Sequence, residues 1–348
     1  MKKKCQTKNF EKENHIIPME TETKEIMKQI NKEQNDEKMD DIKADKTLNI
    51  SFATNYSSNN QSLSSLNNSK SSNNDQFSNK FDCAKGNSEY LYNTEYLNEI
   101  YMNLILEENN SKMKIQKGYM NAQTDINDSM RAILNDWLID VHYNFGLKQK
   151  TLFQTINIID LYLSKQVIER SKFQLLGVAS LLISCKENEI SLPHIHDFVQ
   201  VTDKAYSKED ILKMEKQVLQ VLNFDVLSPT SEEFFNIISK IFSFNTIQQH
   251  MGEFFLESAL IDYGMINYEY SIIASACAYI VMKYFNLSGY NNLYSSKITF
   301  NNSPQKNIKE CAKKLCFLVR NLSKSKLRAA KNKYSLEKFG KVANFFEK

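Results

Sequence analysis

Few residues of this 348-residue sequence are spaced to do chemistry on their own. His194 and His196, two apart, are candidates for a shared metal. No further His or Cys falls nearby at ligand-like spacing, so the pair reads as polar surface and no metal is expected. The cysteines, Cys5, Cys83, Cys185, Cys277, Cys311 and Cys316, make no C-x-x-C pair, and Cys185 and Cys277 lie inside apolar stretches. Reduced, buried thiols fit that placement better than disulfides. The sequence has no Gly-rich phosphate loop, no H-R-D segment and no D-F-G segment. No cofactor and no catalytic activity are expected.

What remains are charged side chains at the edges of apolar helices. Lys186 ends a long apolar run, and Glu215 lies on an amphipathic one. Long charged side chains at such an edge, desolvated by a partner, make directional anchors. The plainer reading places Lys186 at a helix C-terminus, where the dipole favours it, and Glu215 on a solvated face. Met130, Ile133, Leu134, Trp137, Leu138, Val141 and Phe145 form one broad stripe at 100° per residue, as any core-facing helix would. Asp136 and Asp140 sit together to one side of it.

Bulk properties narrow the function classes. Net charge is +3, and the first 90 residues hold 14 Lys against 14 Asp and Glu, so the footprint of a nucleic-acid binder is missing. The longest apolar run, Ile272 to Met282, is well short of the ~20 residues that span a bilayer. Without a recognisable signal peptide, a soluble intracellular protein is expected, with no membrane contact and no direct nucleic-acid contact.

The elements that must position these residues are helices. Four prolines and eight glycines are few for this length. Residues 1–88, charged at first and then Ser/Asn-rich over 51–79, cannot bury enough apolar surface to offset ~1–2 kcal/mol per residue of backbone entropy, so a disordered tail is expected. From Glu89 the spacing predicts one helix, a polar linker, then helices over 130–145, 151–163, 172–186, 194–200 and 207–222, with Asp128 or Ser129 as the N-cap of the first. Phe173 to Cys185 is apolar nearly all round with Gly177, Ala179, Ser180 and Ser184 interspersed, which predicts the central helix of a five-helix bundle. After Ser228-Pro229-Thr230 the pattern repeats over 231–242, 248–263, 268–285 and 304–322. Its own all-round apolar helix lies about 100 residues after the first.

Several stretches resemble the cyclin family. Met130-Arg-Ala-Ile-Leu-Asn-Asp-Trp-Leu-Ile-Asp-Val-His is similar to the opening helix of the first cyclin box of A- and B-type cyclins. Lys172-Phe-Gln-Leu-Leu-Gly-Val-Ala-Ser-Leu-Leu-Ile-Ser-Cys-Lys resembles its third helix. Phe198 to Glu215, with Val221-Leu-Asn-Phe-Asp and Pro229-Thr230, resembles the last helices and linker. The likeness continues more weakly to Lys333-Tyr334 and Phe339-Gly340.

The resemblance implies an all-α fold of tandem five-helix cyclin boxes. It divides into a regulatory tail (1–88), an N-terminal helix and linker (89–128), a first box (129–227) and a second box (228–348). It implies a subunit that binds and activates a cyclin-dependent Ser/Thr kinase in cell-cycle control, at G2/M, in nucleus and cytoplasm. In the family the first box packs against the regulatory helix and activation segment of the kinase and sets its catalytic Lys–Glu pair.

Lys186 and Glu215 match the polar pair that hydrogen-bonds kinase backbone, and Glu187 and Glu189 flank it. Here Lys186-Glu187-Asn188-Glu189 departs from the family, which usually follows that Lys with an aromatic residue and two acids. Met130, Ile133, Leu134, Trp137 and Gln174 match the docking patch for substrates or inhibitors with an Arg-x-Leu motif, and Asp140 and Asp203 match the acids that receive its basic residue. Lys12-Glu13-Asn14 resembles a KEN box, through which a ubiquitin ligase would act. Met1-Lys-Lys-Lys and the basic run Lys324 to Lys333 read as nuclear signals or as helix-surface charge. Two alternatives stay open: a two-repeat transcription factor, which would normally carry a zinc ribbon, and a cyclin that binds a kinase without activating it.

Overall fold

Capping chemistry at Asn127 opens the first bundle. Its side-chain oxygen accepts the Met130 N–H at 2.9 Å, one residue ahead of the expected Asp128 or Ser129 cap. Helix α2 (Asp128–Phe145) then runs to Gly146, whose φ of +66° and N–H to the Tyr143 carbonyl end it. In this computed structural model the described residues are 96–110, 114–287, 305–322 and 324–346. The tail 1–88 lies outside them, and so do Lys12, Glu13 and Asn14.

Among the described residues every regular element is helical. Helix α1 (Leu97–Glu108) comes first and a 3-10 turn at Tyr119–Ala122 follows. The first bundle is α2 with α3 (Gln149–Leu163), α4 (Arg170–Asn188), α5 (Ile195–Val201) and α6 (Lys208–Val221). The second is α7 (Ser231–Ile241), α8 (Thr246–Ile261), α9 (Tyr270–Tyr284), α10 (Gln305–Leu322) and the short α11 (Ala329–Tyr334). Reciprocal caps fix the starts at Ser207 with Asp210 and Asn245 with Gln248, and at Thr230 the Glu233 carboxylate reaches back to the N-cap N–H.

Both all-round apolar segments are central helices. From Leu175 to Cys185 α4 is buried at every position, and so is α9 from Ser271 to Ala278. Close approach explains their small residues. A Cβ at Gly177 would come within 2.9 Å of Leu134 Cδ1, and a Cβ at Gly252 of α8 would occupy the space of the Phe235 ring. Burial also keeps the thiols inert: it pushes Cys185 and Cys311 up to about 12, and Cys277 is raised too.

A polar seam joins the bundles. Arg131 of α2 makes a two-pronged contact with Asp160 of α3, Nε to Oδ1 at 2.7 Å and Nη2 to Oδ2 at 2.6 Å. The Tyr119 hydroxyl donates to the same Oδ1 at 2.7 Å. Arg131 Nη1 and Asn135 Nδ2 then donate to the Leu260 carbonyl, at 3.2 and 2.7 Å, across to α8. Burial opposes the guanidinium charge and Asp160 outweighs it, so the Arg131 pKa is raised. The α1 residue Glu108 accepts from Ser271 N–H and Oγ at the start of α9, at 3.0 and 2.6 Å. Gln154 and Asn157 of α3 donate to Val226 and Ser228 in the connection between the bundles.

Candidate functional site

The α4–α6 contact brings together the two residues singled out as anchors. Lys186 stands in the last turn of α4 and Glu215 in the middle of α6. Lys186 Nζ donates to Glu215 Oε1 at 2.5 Å, with the lysine side chain 49% exposed and the glutamate largely sunk between the helices. An ammonium fixed this way keeps donors directed outward, while the carboxylate retains a free lone-pair direction for a partner's N–H.

Exposed apolar residues follow the ends of both helices. Ile190, just past the end of α4, is 95% exposed, and Leu192 beyond it is exposed too. Leu212 lies one turn before Glu215 on the same face of α6 and is also exposed. Phe224 and Leu227, in the connection after α6, are exposed, Phe224 at 70%. Asn223 and Phe224 both hold left-handed backbone, φ +52° and +61°, fixed by the Phe224 N–H to Leu219 carbonyl bond of 2.8 Å. A bulky residue in that region costs about 1 kcal/mol or more, and here the strain turns a large ring toward water. Sequence reading missed these exposed residues because periodicity counts an isolated apolar residue as core. Only its position after a helix end could have signalled otherwise.

Two of the expected site residues are engaged within the bundle. Glu189 is engaged internally: its Oε1 accepts the Lys148 N–H at 2.8 Å and the Thr151 hydroxyl, capping α3. Lys148 Nζ also donates to the Asn188 carbonyl at 2.6 Å. Glu189 thus ties the end of α4 to the start of α3, and Lys186 and Glu187 are the exposed charges of the run. Leu134 is the second. It has no exposure, being packed against Gly177, so it is core and not an accessible contact.

Met130 and Ile133 are nearly as deep, so the expected Arg-x-Leu patch reaches the surface mainly through other residues. Trp137 and Gln174 are half-buried, and Trp137 Nε1 and Gln174 Nε2 find no hydrogen-bond partner among the described residues. Asp140 is exposed on α2, whereas Asp136 accepts the Ala329 N–H at 3.0 Å and ties α2 to α11. Asp203 is exposed in the turn after α5, with φ +53°. No group of three or more His, Cys, Asp or Glu among the described residues is placed to hold a metal, and none of the described helices is long and apolar enough to cross a membrane.

A second titrating feature lies where α7 meets α8. Glu232 accepts from Asn236 Nδ2 at 2.5 Å, and Gln249 Nε2 bridges Asn236 Oδ1 and Glu253 Oε1 at 3.0 and 3.1 Å. Burial first, and neighbouring carboxylates with it, push Glu232 and Glu253 up to about 7 from an ordinary 4.5. The folded protein therefore holds protons that the unfolded chain has released, and stability falls as pH rises through the window from 4.5 to about 7. Changing Glu253 to Gln should raise the melting temperature by about 2–4 °C at about pH 8 and leave it unchanged near pH 4, as read by calorimetry.

The described residues thus form two helical bundles, the first carrying the half-exposed Lys186–Glu215 pair at its α4–α6 contact. Comparison with known proteins gives the family. The cyclin N-terminal domain matches residues 99–227 and the cyclin C-terminal domain residues 229–348, so the chain belongs to the cyclin family. It is 38% identical over 229 residues to Cyclin-B2-2 of Arabidopsis thaliana, covering 66% of this chain and 53% of that one. It is 36% identical over 250 residues to the G2/mitotic-specific cyclin-B of Hydra vulgaris, covering 72% and 67%. The match thus spans little more than half the length of the plant B2 cyclin. A viral cyclin from herpesvirus saimiri shares the fold, with a TM-score of 0.52 at 15% identity over 63% of this chain and 97% of that one.

Proposed function

We propose that this chain is the regulatory subunit of a cyclin-dependent Ser/Thr kinase, acting at G2/M in nucleus and cytoplasm, and is not itself an enzyme. The observation that carries the reading is the Lys186–Glu215 pair, held at 2.5 Å across the α4–α6 contact, with exposed apolar residues following the ends of both helices (Ile190 and Leu192, Phe224 and Leu227) and Leu212 one turn from Glu215. Apolar side chains around a desolvated polar centre are the arrangement of an interface hot spot. Membership of the cyclin family and the B-type names of its relatives support a kinase as the partner. The cyclin would contribute no reacting group. It would hold the regulatory helix of the kinase so that the Lys–Glu pair needed for phosphoryl transfer forms.

Further contacts belong to the same proposal. Substrates or inhibitors with Arg-x-Leu motifs would dock beside the half-buried Trp137 and Gln174, next to Met130 and Ile133, with Leu134 packed beneath. Asp140 and Asp203 would receive the basic residue. Lys12, Glu13 and Asn14 would serve a ubiquitin ligase.

Co-expression of the full chain with individual cyclin-dependent kinases tests the assignment. One of them should co-purify as an equimolar complex. If none is retained, the family likeness extends to the fold and not to the partner.

A further inference from the structure

The charge of this chain is unevenly distributed. Residues 305–348 hold 13 Lys and Arg against 3 Glu, whereas all the others together hold 31 against 38 Asp and Glu. Much of the excess stands on one helix. Helix α10 buries Ile308, Cys311, Ala312, Leu315, Val319 and Leu322. On its opposite side Lys309, Lys313, Phe317 and Arg320 are exposed. At 100° per residue these four fall within an arc of about 80°, a single stripe about 16 Å long. Phe317, 62% exposed, is the exposed aromatic residue of that stripe. Lys324, Lys326 and Arg328, all exposed, continue the positive charge past the helix end.

From this stripe we infer a docking surface on the second box for an acidic protein segment: about five extended residues, rich in Asp and Glu, with an apolar side chain seated on Phe317. The dimensions and composition favour that occupant. An extended chain at about 3.3 Å per residue covers the stripe with about five residues, and alternate side chains of an extended peptide point the same way. Single-stranded nucleic acid uses a series of aromatic platforms, and this stripe offers one ring. A membrane surface would need a band of fully exposed apolar residues beside the cations, and the remaining apolar positions of α10 are buried or, at Cys316 and Leu318, only partly exposed. The surface lies on a different box from the Lys186–Glu215 ridge and does not depend on kinase binding.

Fluorescence anisotropy on the full chain tests it. The labelled probe is a peptide of Asp and Glu around one central Leu, measured at about 50 mM salt, where screening is weak. Wild type should bind it. Lys313→Glu with Arg320→Glu should weaken binding by at least about tenfold, because like charges then oppose the peptide. Phe317→Ala should weaken it by about threefold without changing the salt dependence. These side chains are exposed, so the melting temperature of each variant should match wild type. Failure of wild type to bind the peptide, equal binding by the charge-reversed chain, or capture of oligothymidylate or anionic vesicles in place of the peptide would each overturn the inference.

Discussion

Replacing Asp160 with Ala should destabilise the protein by about 3–5 kcal/mol, the largest effect of any single change considered. Asp160 receives two Arg131 nitrogens and the Tyr119 hydroxyl within 2.7 Å, and both partners of the ion pair are almost wholly buried. Its removal leaves a guanidinium inside the protein with no counter-charge and frees a buried phenol. The damage reaches both bundles, because Arg131 also holds the Leu260 carbonyl of α8. Arg131→Met should cost less from its own side, since no orphaned cation is left, but it strands Asp160. The double change Arg131→Met/Asp160→Leu should recover much of the loss, as apolar replacements of whole buried pairs often do. Denaturant unfolding of wild type, Arg131→Met, Asp160→Leu and the double change closes the cycle. Additive losses would show that the pair does not act as a unit.

The second large effect concerns binding. Lys186→Ala with Glu215→Ala should reduce kinase affinity by about 100-fold or more, while changing folding stability little. The reason lies in exposure. An ion pair whose lysine is half in solvent contributes at most about 1 kcal/mol to the free chain. Under the proposed kinase contact the same groups would satisfy buried backbone donors and acceptors, and losing such bonds costs about 2–5 kcal/mol. Glu187→Phe, which replaces the carboxylate with the aromatic residue usual in the family, should leave the fold intact and strengthen binding. Calorimetric titration with the kinase and thermal melts of each free variant read the two quantities separately.

The parts of this fold that were legible in the sequence are those set by local pattern. The segments around Gly177 and Ala276 declare themselves central helices because they are apolar on every side and carry small residues. Other features depend on pairings that no period encodes. Arg131 and Asp160 sit 29 residues apart on different helices, and neither stands out until the bundle brings them together. Helix α11, with six residues, is too short to show a period, and it is held by Asp136 from 193 positions away. The ridge divides the same way. Lys186 and Glu215 were found through the family likeness, since chemistry alone favoured solvated charges. Ile190 and Phe224 went unread because an apolar residue gives no sign in sequence of facing water. Glu189 is a carboxylate near the anchors whose Oε1 is engaged at the start of the preceding helix, a pairing that no local pattern encodes.

Histone phosphorylation by the purified kinase, alone and with saturating full-length chain, tests the central claim most directly. The account predicts that the kinase alone is nearly inactive, that wild type raises its rate by orders of magnitude, and that the Lys186→Ala/Glu215→Ala chain does not. A kinase that binds wild type tightly yet stays inactive would contradict it, and would make Glu187 and Asn188 marks of a subunit that holds a kinase without switching it on.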